Sequence, residues 1–85
     1  MNYKVGKNCV IDSSAVIGEN VTICHNVIVE PHAIIGANSY IDSNTIIRSN
    51  TNIGENSFVG ANCIIGEYWM DFCIEQKIYK HPLYI

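Results

Sequence analysis

Charge is scarce in this sequence, and so are long apolar runs. Asp, Glu, Lys and Arg together supply only 15% of its 85 residues, and the formal net charge is −3. The five basic residues form no cluster, which excludes a surface that grips nucleic-acid phosphates. No apolar run approaches the roughly 18 residues that a membrane-crossing helix needs. The opening Met1-Asn2-Tyr3-Lys4-Val5-Gly6 has no apolar core of the secretory type. Cys9, Cys24, Cys63 and Cys73 contain no CxxC pair and no zinc-type spacing, so neither a metal site nor a disulfide framework is expected. Those signals together predict reduced thiols in a cytoplasmic protein.

What the sequence does have is apolar content and order. Hydrophobic residues make up 48%, too many for a disordered chain. They recur every six residues, as Val5, Ile11, Ile17, Ile23, Val29, Ile35, Ile41, Ile47, Ile53, Val59 and Ile65. With 22 Val and Ile in the chain, eleven hits in a chosen frame arise by chance on the order of one time in a million. All six glycines (6, 18, 36, 54, 60 and 66) fall one place after this column. Asn8, Asn20, Asn26, Asn38, Asn44, Asn50, Asn56 and Asn62 fall three places after it. Cys9, Ala15, Val21, Val27, Ala33, Ser39, Thr45, Thr51, Ser57 and Cys63 fall four places after it, until Trp69 breaks that column of small side chains.

Gly and Asn tolerate positive φ, so each hexad is expected to carry a corner. The β-branched stretches between corners alternate inward, outward, inward. Three hexads then close one 18-residue triangular coil, and coils stack as parallel strands about 4.8 Å apart. The period does not hold one face of a helix and is too short for a sandwich. The predicted fold is therefore all-β, a parallel β-helix of about 3.7 coils over residues 1–70, by eleven hexads at three per coil. Residues 71–85 form a loop or cap in which Leu83, Tyr84 and Ile85 return to the frame.

The stretches Ile17-Gly-Glu-Asn-Val-Thr22 and Ile53-Gly-Glu-Asn-Ser-Phe-Val-Gly-Ala-Asn-Cys-Ile-Ile-Gly66 resemble the hexapeptide-repeat acyltransferases. The resemblance implies a left-handed coil, an exception to the right-handed crossover rule. It also implies acyl transfer from acetyl-CoA, as co-substrate and without a metal, to an amine or hydroxyl of a sugar or nucleotide-sugar. The segment from Ile65 through Asp71-Phe72 to His81-Pro82-Leu83-Tyr84-Ile85 looks like the place where sugar-modifying members interrupt the coil and resume it. On that likeness the chain is expected to be an N-terminal portion, with the complete CoA site over later coils.

Outward positions sort by face. One face collects Val10, Ile28, Ile46 and Ile64, a second Val16, Ile34, Asn52 and Met70, and a third Thr22, Tyr40 and Phe58. An unbroken aliphatic column outside the prism marks an association surface, and the resembled family implies a homotrimer with sites between subunits. Acyl transfer needs a base near neutral pH, for which histidine is suited. His25 lies two places after Ile23, where some sugar N-acetyltransferases carry their base, but Cys24 stands in place of the preceding Glu. His32 follows Val29-Glu30-Pro31 and is one place late. Both are candidates, each weighed against an ordinary solvated corner residue; His81 reads as part of a turn before Pro82.

Two other classes compete. A trimerising scaffold without catalysis needs only the coil and the aliphatic column. A zinc enzyme resembling the β-helical carbonic anhydrases needs three ligands, and His25 and His32 lie on different corners. An ice-binding face fails because Thr22, Thr45 and Thr51 occupy three different faces. Asp12, Glu30 and Arg48 share one corner column and predict a surface charge ladder.

Overall fold

The computed structural model describes residues 2–66 together with the backbone of two short strands beyond them. Eleven strands follow the hexads: β1 (Lys4–Val5), β2 (Val10–Ile11), β3 (Val16–Ile17), β4 (Thr22–Ile23), β5 (Ile28–Val29), β6 (Ile34–Ile35), β7 (Tyr40–Ile41), β8 (Ile46–Ile47), β9 (Asn52–Ile53), β10 (Phe58–Val59) and β11 (Cys63–Ile65). Strands β1 to β8 each pair in parallel with the strand three positions on, so β1-β4-β7-β10, β2-β5-β8-β11 and β3-β6-β9 form the three walls of a prism. The register is 18 residues throughout: Val10 faces Ile28, Ile28 faces Ile46 and Ile46 faces Ile64. The single hydrogen-bonding direction is visible in Val10 N–H to Val27 O, Ile28 N–H to Thr45 O and Arg48 N–H to Ile65 O, at 2.9, 3.0 and 2.9 Å.

The bore is filled by the two inward columns. Ile23, Val29, Ile35, Ile41, Ile47, Ile53, Val59 and Ile65 are buried, and so are their small partners Val21, Val27, Ala33 and Cys63. Three small polar residues of the inward column bond to the next coil along the wall. The Ser39 hydroxyl donates to Gly54 O at 3.0 Å, the Thr45 hydroxyl to Gly60 O at 2.9 Å, and the Cys9 thiol to Cys24 O at 2.9 Å. Each bond spans 15 residues and joins one coil to the next.

The corners divide their work differently from the expectation. Asn8, Asn20, Asn26, Asn38, Asn44, Asn50, Asn56 and Asn62 all sit at φ of 58–64°, and His32 takes the same conformation at 63°. Their amides reach back to the preceding coil, as Asn44 N–H does to His25 O at 2.9 Å. Among the glycines only Gly66 has positive φ, at 98°. Gly6, Gly18 and Gly36 serve close approach instead. A Cβ at Gly6 would lie 2.5 Å from His25 Nδ1 and 2.7 Å from Cys24 O, and the Cys24 carbonyl is backbone that cannot readily yield.

Two further strands lie at the C-terminal end. β12 (Phe72–Cys73) runs antiparallel to β11, and β13 (Ile78–Tyr79) runs antiparallel to β10. The expected return of Leu83, Tyr84 and Ile85 to the frame, Met70 of the second face and the turn at His81 lie outside the described residues. The cysteine expectation is corrected here. Cys9 and Cys24 are free, but Cys63 is disulfide-bonded, and the residue directly across the ladder from it is Cys73. Spacing along the chain did not disclose this, because antiparallel reversal of the tail brings ten-residue neighbours opposite one another.

Candidate functional site

The two candidate histidines occupy different edges of the prism, with β5 between them. His25 belongs to the edge joining the first wall to the second. Its Nδ1 accepts the Lys7 amide at 2.8 Å, and its own amide donates to the Ser43 hydroxyl at 3.1 Å. Gly6 leaves room for the ring. With Nδ1 filled, the neutral ring carries its proton on Nε2, so the outward nitrogen is a donor and has no lone pair for a substrate proton. Nearby, the Cys24 thiol donates to Tyr40 Oη at 3.2 Å, and the Tyr40 and Phe58 rings stack at 5.3 Å. That contact with Cys24, with its charge next, raises the Tyr40 pKa above the ordinary value.

His32 stands on the edge between the second and third walls. Asp12, Ser14, Glu30, Arg48 and Ser49 share that edge because they recur at 18-residue intervals around it. The Asp12 carboxylate takes both the Ser14 amide at 2.9 Å and the Ser14 hydroxyl at 2.6 Å. The Ser14 hydroxyl oxygen in turn accepts the His32 amide at 2.9 Å. These bonds, the Ser14 hydroxyl first and its amide second, hold the Asp12 carboxyl below its usual pKa, and the charge of His32 adds to them. One coil higher, Glu30 receives Arg48 Nε at 2.9 Å and the Ser49 amide at 3.1 Å. The charge ladder is thus two separate units rather than one column of ions. Both partners of the Arg48–Glu30 pair are well exposed, so the pair contributes about 0–1 kcal/mol.

The His32 ring is exposed and makes no hydrogen bond to the described residues, which leaves either ring nitrogen available to a ligand. The αL backbone at φ 63° carries the side chain outward from the edge, where Asn does the same elsewhere. The signal in the sequence is a histidine standing in the asparagine column. Aliphatic residues flank this edge on both sides: Val10, Ile28 and Ile46 on one wall, Val16 and Ile34 on the other. Val10 and Val16 are 63% and 57% exposed, so apolar surface lies open on both sides of the edge. Among the described residues no three metal-ligating groups converge. A concavity of about 370 Å³ opens at the N-terminal end, lined by Asn2, Tyr3, Lys4 and Asn20–Thr22, with neither histidine in its lining.

The repeat frame and the three parallel walls meet one family description. Residues 2–37 and 32–67 match the bacterial transferase hexapeptide family (six repeats), and the chain belongs to that family. Its fold is the left-handed parallel β-helix of hexapeptide repeats. No curated protein and no solved structure matches the chain.

Proposed function

We propose that the protein is an acyltransferase that moves an acetyl group from acetyl-CoA to an amine or hydroxyl of a sugar or nucleotide-sugar. The observation that carries this reading is the match of the hexad array to a transferase family. The base in this reading is His32. Its ring is uncommitted and stands beside Asp12, whereas His25 spends Nδ1 on the Lys7 amide. The base removes a proton from the attacking N–H or O–H as the new bond to the acetyl carbon forms. The C–S bond then breaks, and the sulfur leaves as the CoA thiol. Self-association as a homotrimer through Val10, Ile28, Ile46 and Ile64 places the His32 edge beside a second copy.

Release of the CoA thiol in the presence of a panel of amino sugars and nucleotide-sugars tests the reading. Acceptor-dependent release that is lost in His32→Asn and kept in His25→Asn supports it. Release unaffected by His32→Asn removes the proposed base. A scaffold without catalysis is the second reading, for which the coil and the exposed aliphatic residues Val10, Val16, Ile28 and Ile34 suffice. No release with any acceptor, from a chain that associates, selects that scaffold.

A further inference from the structure

The first coil closes the prism with open edges. Lys4 and Gly6 N–H donate to Val21 O and Ile23 O at 2.9 and 2.8 Å. Val10 and Asp12 N–H donate to Val27 O and Val29 O at 2.9 and 3.0 Å, and Val16 and Gly18 N–H to Ala33 O and Ile35 O at 2.9 and 2.8 Å. Peptide groups alternate in direction along a strand, so the N–H and C=O of Val5, Ile11 and Ile17 point off the end. Each of β1, β2 and β3 is the edge strand of its sheet, and among the described residues nothing pairs with that side. The inward side chains are uncovered there too. Val5 is 42% exposed and Ile11 and Ile17 are half-buried, whereas Ile23, Ile41 and Val59 higher in the stack are buried. At the opposite end β11 and β10 already pair with β12 and β13. Open edges of this kind are templates for another strand.

We propose that a second copy of this chain docks on this end, first coil against first coil, about a two-fold axis. Turning a copy over reverses the run of its strands, so every wall meets its counterpart antiparallel. The end is also a ramp. It climbs one coil spacing from Asn2 to Asn20, whose N–H donates to Asn2 O at 2.7 Å. Two facing ramps stay equally spaced only when the axis passes through the edge where they step, between the third wall and the first, and through the middle of the second wall. That axis sets Ile11 against Ile11 of the second copy, Val5 against Ile17 and Ile17 against Val5. In each pair both residues have an N–H and a C=O to exchange. The same register sorts the charges. Lys4 comes to the Gly18–Glu19 corner of the second copy and Lys7 to the edge that carries Asp12, while Asp12 and Glu19 lie across from Val10 and Tyr3. Among the described residues neither lysine makes an ion pair within its own chain. The contact is isologous and closed, so it yields pairs rather than filaments. It rests on neither the catalytic reading nor the trimer. The axis crosses the wall of the aliphatic column, so it doubles a single prism and a ring of three alike.

Sedimentation equilibrium of the full-length chain tests the docking. Three two-residue edges make a small interface, so the mass is expected to double as concentration rises to the millimolar range. Lys7→Glu places an acid toward Asp12 twice in every pair and is expected to weaken the doubling by about tenfold or more. Lys7→Glu combined with Asp12→Lys is expected to restore it. No doubling in the parent chain overturns the proposal, and so does a doubling that Lys7→Glu leaves unchanged. Amide hydrogen exchange reads the ladder itself and needs no variant. Val5, Ile11 and Ile17 N–H are expected to exchange slowly in the doubled species and freely on dilution. Free exchange of these amides in the doubled species overturns the docking.

Discussion

At the residue scale, the positive-φ corner is the feature that lets one side chain be tested for chemistry apart from structure. Left-handed backbone costs most L-residues about 1–2 kcal/mol, and Asn adopts it most readily. Among the described residues, His32 is the one αL corner that is not Asn. His32→Asn therefore restores the column's own residue, and its thermal midpoint is expected to equal or exceed that of the parent by a few degrees. A scanning-calorimetry midpoint that falls by more than about 4 °C, worth roughly 1 kcal/mol here, would show that the ring packs against something the fold needs. Asp12 offers a second test with a defined sign. Its folded-state pKa lies below the ordinary value of 3.8, so its contribution is fully present above that value and is lost as pH falls through the depressed one. Asp12→Asn is expected to flatten the acid limb of the stability curve below pH 3.8 and to leave its shape between pH 5 and 7 unchanged. A difference confined to neutral pH would place the effect elsewhere.

At the scale of the element, each strand is two or three residues long and cannot stand alone. Its stability comes from the inward Ile or Val and from the ladder to the next coil. Ile41 is completely buried at mid-stack, between Ile23 and Val59 in the register. Truncating such a residue to Ala costs about 2–5 kcal/mol, against a total of roughly 4–13 kcal/mol for a domain of this length. Ile41→Ala is expected to lower the melting midpoint by about 10 °C or more. The same change at Val5, 42% exposed on the open first coil, is expected to shift it far less. Equal shifts at the two positions, measured by circular dichroism, would mean that the stack does not melt as a graded array. The inward columns were legible from the sequence because one aliphatic per six residues has no other use. The glycines were misread as turn formers because composition cannot separate tolerance of positive φ from the need for close approach, which Gly6 meets against His25. The antiparallel β12 and β13 were not legible, because they depend on reversal of the tail rather than on any period within it. The His32 edge was half legible. The histidine stood out of its column, but Asp12 and Ser14 join it only through an 18-residue stacking that the three-wall geometry supplies.

At the scale of the whole molecule, the outer aliphatic column asks for an explanation that one chain does not provide. Val10, Ile28, Ile46 and Ile64 are in register along one wall, and Val10 and Ile28 are 63% and 38% exposed. A chain of 85 residues buries only about 60% of its unfolded surface, so covering this wall contributes proportionately more than it would in a large protein. Each outward aliphatic that leaves water is worth about 1.5–3 kcal/mol at full burial. If a second and third copy cover the wall, a lysine in its middle must be desolvated in every interface at once. In an isolated prism the same lysine extends into solvent and costs little. Ile28→Lys is therefore expected to convert a trimer to monomer in sedimentation equilibrium, with the β-rich circular dichroism retained. Thr22→Lys on the first wall, away from the column, is expected to leave the mass unchanged. A parent chain that stays monomeric at high concentration in light scattering would remove the trimer and, with it, the subunit boundary at the His32 edge. A trimer that survives Ile28→Lys would move the interface to another wall, and the Val16 and Ile34 pair is then the next surface to substitute.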